Sequence, residues 1–345
     1  MSRRDSAASK SEESAPAANS FCSGAPSSNR AGAEAKRRIL LTGASGCIGS
    51  RLAPLLLQDS AVSEVVGLDL RASPVPARSK WVPVLEDIRS PAARDLLKGI
   101  DCLVHLAFVV RNIHDDARAR EMNLEGTENL LAGAAEHGVG HVVFTSSAAV
   151  YGCRPDNPPF VPEDWPLRPD PGHVYSECKA RVEEALKGFK AANPRTVVTI
   201  LRPVLVMGPG VENTLANLFR RGWFPCVRGH DPLVQVVHIE DMVRALQLVV
   251  GKPLDGVFNV AASDALRASE ICRILRIRRI CLPKGLFVAA LKVLYAARLS
   301  RLPPESVTRF LYSVTVDSTR FQRAFHWEPT YTTEGCMAGY RGGHP

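Results

Sequence analysis

The sequence predicts an α/β fold: a doubly wound parallel sheet of Rossmann type, followed by a smaller, mostly helical C-terminal substrate lobe. Three observations predict it. Near-continuous apolar strands alternate with longer segments of helical period as far as residue 203, the first strand runs into a glycine triplet, and after Pro203 the rhythm becomes irregular.

The strand-like runs are RILLTG (38–43), VVGLDL (65–70), WVPVLE (81–86), DCLVHLA (101–107), HVVFTSS (141–147) and TVVTILRP (196–203). Helical periodicity marks 46–58, 91–98, 115–137 and 173–191. Beyond Pro203 the pattern predicts a helix near 212–221, a loop around 228–232, a helix from Glu240, a strand at VFNVA (257–261) and a mostly helical remainder. The expected organisation is a dinucleotide-binding core over 37–203 with 235–262 contributing, and a substrate lobe from 204–234 and 263–345. Residues 1–36 are rich in Ser, Ala and Gly, with Phe21 their only aromatic or branched aliphatic residue, and read as a disordered tail.

Composition narrows the function classes. The formal charge is +8, but the basic residues are scattered apart from Lys36-Arg37-Arg38 and Arg273 to Arg279, without the aromatic interleaving of a nucleic-acid surface. The nine cysteines include no C-x-x-C pair and have no histidine cluster beside them, which predicts reduced thiols in a cytoplasmic protein and neither a disulfide frame nor a metal site. No run reaches the roughly 20 apolar residues of a membrane span. The nearest, GLFVAALKVLYAARL (285–299), carries Lys292 and Arg298, and a helix packed on the lobe is preferred over an interfacial one, so membrane contact is not favoured.

Two local patterns carry chemistry. Gly43-Ala-Ser-Gly46-Cys-Ile48-Gly49 follows the first strand and opens a helix, so backbone N–H groups and a helix N-terminus can meet a diphosphate. Asp69, 20 residues beyond Gly49, ends the second strand, where a carboxylate can accept from both ribose hydroxyls. It repels a 2′-phosphate, which predicts NAD over NADP, while Arg71 argues the other way. Asp87-Ile88 follows the third strand and is a candidate for the adenine edge. In Tyr175-Ser-Glu-Cys-Lys179 a phenol and an ammonium share one helix face. A free tyrosine with a pKa of about 10 is ionised in about one molecule per thousand near pH 7, and a neighbouring cation favours the phenolate needed for proton transfer.

Together with LTGASGCIGS (41–50), GLDLR (67–71), HLAF (105–108), MNLEGTENLL (122–131), FTSSAAVYG (144–152), LRPVLVMGPG (201–210), VVHIEDMVRAL (236–246) and VDSTRFQRAFHWEP (316–329), these residues make the chain resemble the extended short-chain dehydrogenase/reductase family. The relevant branch is the NAD-dependent epimerase/dehydratase group, which includes UDP-glucose 4-epimerase. The resemblance implies catalysis by Ser147, Tyr175 and Lys179, with Asn123 as the active-site asparagine. It has Lys179 also holding the nicotinamide ribose, Leu106 and Ala107 lining the cofactor, Pro203 flanking the nicotinamide, and a homodimer. Two departures bear on substrate. Ala148 and Ala149 stand where the family's dehydratases carry an Asp-Glu pair, and Val234 replaces an arginine four residues before His238. Arg220, Arg221 and Arg228 are candidate replacements, and His238 and Asp241 read as structural. The expected function is hydride transfer at a secondary alcohol or carbonyl of a small-molecule substrate, a nucleotide sugar in the first place. The alternatives are net dehydrogenation of a less polar, sterol- or isoprenoid-like alcohol, and a non-catalytic NAD(P) sensor.

Overall fold

Strand β1 (Arg37–Thr42) is apolar and buried over its last four residues, so it must lie inside a sheet covered on both faces. The computed structural model describes residues 36–342 apart from 110–114 and 301, so the expected tail, except Lys36, lies outside the described residues. After β1 come α1 (Gly49–Gln58), β2 (Val62–Asp69), β3 (Trp81–Leu85), α2 (Pro91–Asp95), β4 (Cys102–His105), α3 (Asp116–Glu136), β5 (His141–Thr145), a 3-10 turn (Ala148–Tyr151), α4 (Val174–Ala192) and β6 (Val197–Pro203). The remainder comprises β7 (Leu205–Met207), α5 (Thr214–Phe219), β8 (Trp223–Val227), β9 (Leu233–Val234), β10 (Val236–His238), α6 (Ile239–Gly251), β11 (Gly256–Val260), β12 (Leu266–Arg267) and α7 (Ala268–Leu275). It closes with β13 (Arg278–Leu282), α8 (Lys284–Ala296), α9 (Thr308–Leu311), α10 (Thr319–Phe325) and α11 (Thr333–Gly342).

The sheet is seven-stranded, in the order β11-β6-β5-β4-β1-β2-β3, with every pairing parallel. Chain order reverses between β1 and β4, which places a crevice at the carboxyl ends of those strands. One apolar cluster packs α1 and α6 on one face, and a second packs α3 and α4 on the other. Helix α2 stops at Asp95, short of the expected 98. The stretch after Pro203 holds more strand than anticipated: three two-stranded sheets, β10-β7, β12-β9 and β13-β8, lie beside a third apolar cluster.

The expectation of wholly reduced thiols is corrected here. Cys226 and Cys281 face each other across the β8–β13 pair, with Cα atoms 4.4 Å apart, and form a disulfide. Fifty-five residues separate them in the chain, so only the parallel pairing brings the two thiols within bonding reach.

Candidate active site

The turn after β1 is built so that only glycine fits at its ends. Gly43 has φ +70°, and a Cβ there would lie 2.7 Å from the Ala107 nitrogen. A Cβ on Gly49 would come within 2.3 Å of the Gly43 carbonyl oxygen. Gly46 donates to that oxygen at 3.0 Å, and its own missing Cβ would approach nothing else, which leaves room for a ligand. Ile48 is the N-cap of α1, has no side-chain cap, and is followed by a first turn without an acidic residue. Uncapped N–H groups and the positive helix end suit an anion, so the cradle fits a dinucleotide diphosphate.

Asp69 lies at the same turn. Its Oδ2 accepts from the Ser45 N–H and its Oδ1 from the Arg71 N–H, each at 3.0 Å. Arg71 folds back over it, donating to the Ser45 carbonyl at 3.2 Å with Nε 3.6 Å from the carboxylate. Leu106 and Ala107 line the turn's other side, tied to Thr42 by backbone N–H groups at 3.2 Å each. Asp87 turns both carboxylate oxygens to Arg89, whose hydrogen bonds hold it below the usual range. The Ile88 side chain packs against α3, where a Cβ on Gly126 would lie 2.4 Å from it. Pro203 is buried at the end of β6.

At the carboxyl ends of β5 and β6 three predicted residues converge. Ser147 caps the 3-10 turn, its Oγ accepting from the Ala149 N–H at 3.2 Å, and its side chain acts on the Tyr175 phenol, favouring the ionised form. Tyr175 stands in the first turn of α4, which His173 caps. Lys179, one turn on, is buried and donates to the Thr145 carbonyl at 2.6 Å, with the Phe108 ring 3.5 Å and the Phe144 ring 4.5 Å away. Burial pushes the Tyr175 phenol up, and the Ser147 hydrogen bond and the Arg309 charge pull it back. The sequence assigns that lowering to Lys179. Here the ammonium is turned to Thr145, 5.8 Å from the Tyr175 ring centre, and burial itself holds Lys179 well below the usual lysine value.

The hydrogen bonds of Asn123 go to the backbone beside this group. Its amide clamps the chain after β4, accepting from Val109 N–H at 2.7 Å and donating to the Val109 carbonyl at 3.3 Å. Several contributors escape sequence reading. Glu183, one turn beyond Lys179, accepts from Arg202 at 2.6 to 3.1 Å and from Ser146 at 2.5 Å, all buried, and Arg202 also donates to the Tyr151 hydroxyl at 2.8 Å. The i, i+4 step from Lys179 is the one local signal for Glu183. Arg309, on α9, acts electrostatically on Tyr175 and His173, and nothing in its local sequence marks it.

On the lobe side, Val234 pairs with Leu266 against an apolar cluster. Arg220, Arg221 and Arg228 are exposed, and Arg220 bonds Asn217 and the Val211 carbonyl. His238 caps α6 and stacks on Tyr331 at 3.9 Å, while Asp241 accepts from the Thr330 and Tyr331 N–H groups at 3.0 Å; both are structural, as the sequence reads them.

Comparison with known proteins bears on the family and the fold. The family described as "NAD dependent epimerase/dehydratase family" matches residues 39–261. An uncharacterised protein of Mycobacterium tuberculosis is 27% identical over 315 residues, covering 88% of this chain and 82% of the relative. The N-acetyl-alpha-D-glucosaminyl-diphospho-ditrans,octacis-undecaprenol 4-epimerase of Escherichia coli O157:H7 is 33% identical over 190 residues, 53% of each chain. Among solved structures, MoeE5 in complex with UDP-glucuronic acid and NAD superposes with a TM-score of 0.69 at 25% identity, covering 88% of this chain and 97% of that one.

Proposed function

The chain belongs to the NAD-dependent epimerase/dehydratase family, and from that premise we propose that it transfers hydride at a secondary alcohol or carbonyl carbon of a nucleotide sugar. The observation that carries this reading is the placement of Tyr175 one helical turn from the buried Lys179 on α4, with the Ser147 side chain acting on the phenol. A bound nicotinamide supplies hydride acceptance and return. The chain's own residues handle the proton. Ser147 holds the reacting oxygen, and Tyr175, a phenol that is protonated at neutral pH and that burial pushes further up, gives its proton to a carbonyl oxygen and recovers it from the alcohol. Lys179 holds the nicotinamide ribose, and Gly43, Gly46, Ile48 and Gly49 hold the diphosphate. Asp69 takes the adenosine ribose, which favours NAD over NADP.

Water loss by a 4,6-dehydratase route lacks its carboxyl pair, because Ala148 and Ala149 present only methyl groups after Ser147. Arg309 joins Arg220, Arg221 and Arg228 as a candidate anion contact of the lobe, since its charge acts on Tyr175. Val234 on its apolar ladder favours a second reading, a sugar whose diphosphate carries a less polar, isoprenoid group, the substrate type in the name of the Escherichia coli relative. Mass spectrometry of ligands retained by the purified protein, then assays with UDP-sugars and with a polyprenyl-diphosphate sugar, tests both. Epimer formation from UDP-sugars supports the first reading and reaction of the polyprenyl substrate alone the second. Retained NAD with no reaction on either substrate counts against both.

A further inference from the structure

Helix α8 is apolar nearly all round, yet only one side of it is covered. Phe287 and Leu291 are buried against the lobe, whereas Leu286, Val293 and Leu294 are 56%, 67% and 40% exposed, with Ala289, Ala296 and Ala297 beside them. A helix without a polar face is normally buried on all sides, so this outer face calls for a partner. Among the described residues, five of the nine large hydrophobics that stand exposed lie between Ile280 and Leu299, so the apolar surface is concentrated here.

Charge says which partner. From residue 271 to 304 the sequence holds no Asp or Glu but eight basic residues, as many as the formal excess of the whole chain, +8. Arg273, Arg276 and Arg278 are exposed just before α8, and Lys284, Lys292 and Arg298 are exposed along and after it. Arg279 is occupied by Asp231 at 3.3 Å.

We propose that β13 and α8 form a docking surface for anionic lipid headgroups, with the outer face of α8 laid into the headgroup boundary and the flanking arginines and lysines on phosphate. The inner side of α8 is taken up by the lobe, and an exposed aliphatic face with cations at its margins binds an anionic surface through buried apolar area together with electrostatic attraction. At 13 residues α8 is about 20 Å long, too short to cross the apolar core, and among the described residues no helix is long and apolar enough to span a membrane. A second copy fits less well, because a two-fold contact through this face would set cation against cation. The face also exposes no large aromatic of the kind that anchors protein interfaces. This surface is independent of the substrate reading above.

The test is flotation of the NAD-loaded full chain with vesicles of phosphatidylcholine alone or mixed with phosphatidylglycerol, without substrate. The expected result is binding to the phosphatidylglycerol vesicles only, weakened by salt. Val293→Glu and Arg278→Glu should each lower binding about tenfold or more with an unchanged melting temperature, since both side chains stand in water. Absence of flotation, binding indifferent to both substitutions, or self-association abolished by Val293→Glu without vesicle binding would each overturn the proposal.

Discussion

Tyr175 and Lys179 lie on one helix face but answer to different surroundings, and their substitutions should separate accordingly. Tyr175→Phe keeps the ring and loses the hydroxyl that would pass the proton, so turnover should fall about 10²–10⁴-fold while NAD binding persists. Lys179→Met should reduce turnover and NAD affinity together. Steady-state kinetics alongside NAD titration distinguishes the two, and undiminished turnover in Tyr175→Phe would return the sensor reading to first place. Asp69 and Arg71 compete at the glycine turn. The carboxylate is held by two backbone N–H groups while the Arg71 side chain is 69% exposed, so the fixed group should dominate. Fluorescence titration should show tighter NAD(H) than NADP(H), and Asp69→Ala should narrow or reverse the preference.

At the scale of elements, α4 matters most, because it carries both residues. It is fastened to β6 by the buried Glu183–Arg202 pair, whose side chains are 0% and 4% exposed. Arg202→Leu leaves Glu183 buried without its cation and should cost about 3–5 kcal/mol in chemical denaturation, the usual penalty for breaking such a pair. The double substitution with Glu183→Leu should recover much of that loss, since removing both charges also removes the desolvation cost. If Arg202→Leu alone melts like the parent, this fastening is not what holds α4. Legibility differs along the same element. The Tyr175–Lys179 spacing announces itself locally, while Glu183 has meaning only once β6 brings Arg202 beneath it. Asn123 shows the converse: the resemblance assigns it to the active site, and the fold uses its amide to tie down the chain after β4.

For the whole molecule, acid sensitivity follows from two buried histidines, His105 and His141, and the half-buried His173. Burial lowers His105 to about 3, His141 to about 4 and His173 to about 3, from an ordinary 6.5. In the unfolded chain each takes up a proton as pH falls through 6.5, whereas in the folded chain each stays neutral until near pH 4. The stability they contribute is therefore complete above pH 6.5 and is lost on the way down to their folded values. The slope is about 1.4 kcal/mol per pH unit for each histidine once its unfolded form is protonated. Denaturation at stepped pH values from 7 to 4 should show stability falling steeply below 6, and NMR should show no appreciable titration of these rings in the native state between pH 7 and about pH 5.5. A flat profile would mean that the rings are accessible to protons in the folded protein.

The sequence by itself determined the parallel α/β sheet, the glycine cradle, the carboxylate at the end of β2 and the Tyr175–Lys179 spacing, whereas Ser147 entered only through the family resemblance. The former rest on short-range periodicity or spacing, which a single segment displays whatever the rest of the chain does. The tertiary structure decided what depends on which segments become neighbours. It paired Cys226 with Cys281, put Arg202 against Glu183, brought the charge of Arg309 to bear on Tyr175, and turned Lys179 toward Thr145. It also decided that α8 packs on the lobe through Phe287 and Leu291 while its opposite face stays in water. The run 285–299 is almost equally apolar on every side, so its periodicity has no direction to report. Only the position of the lobe beneath the helix makes one face inner and the other outer.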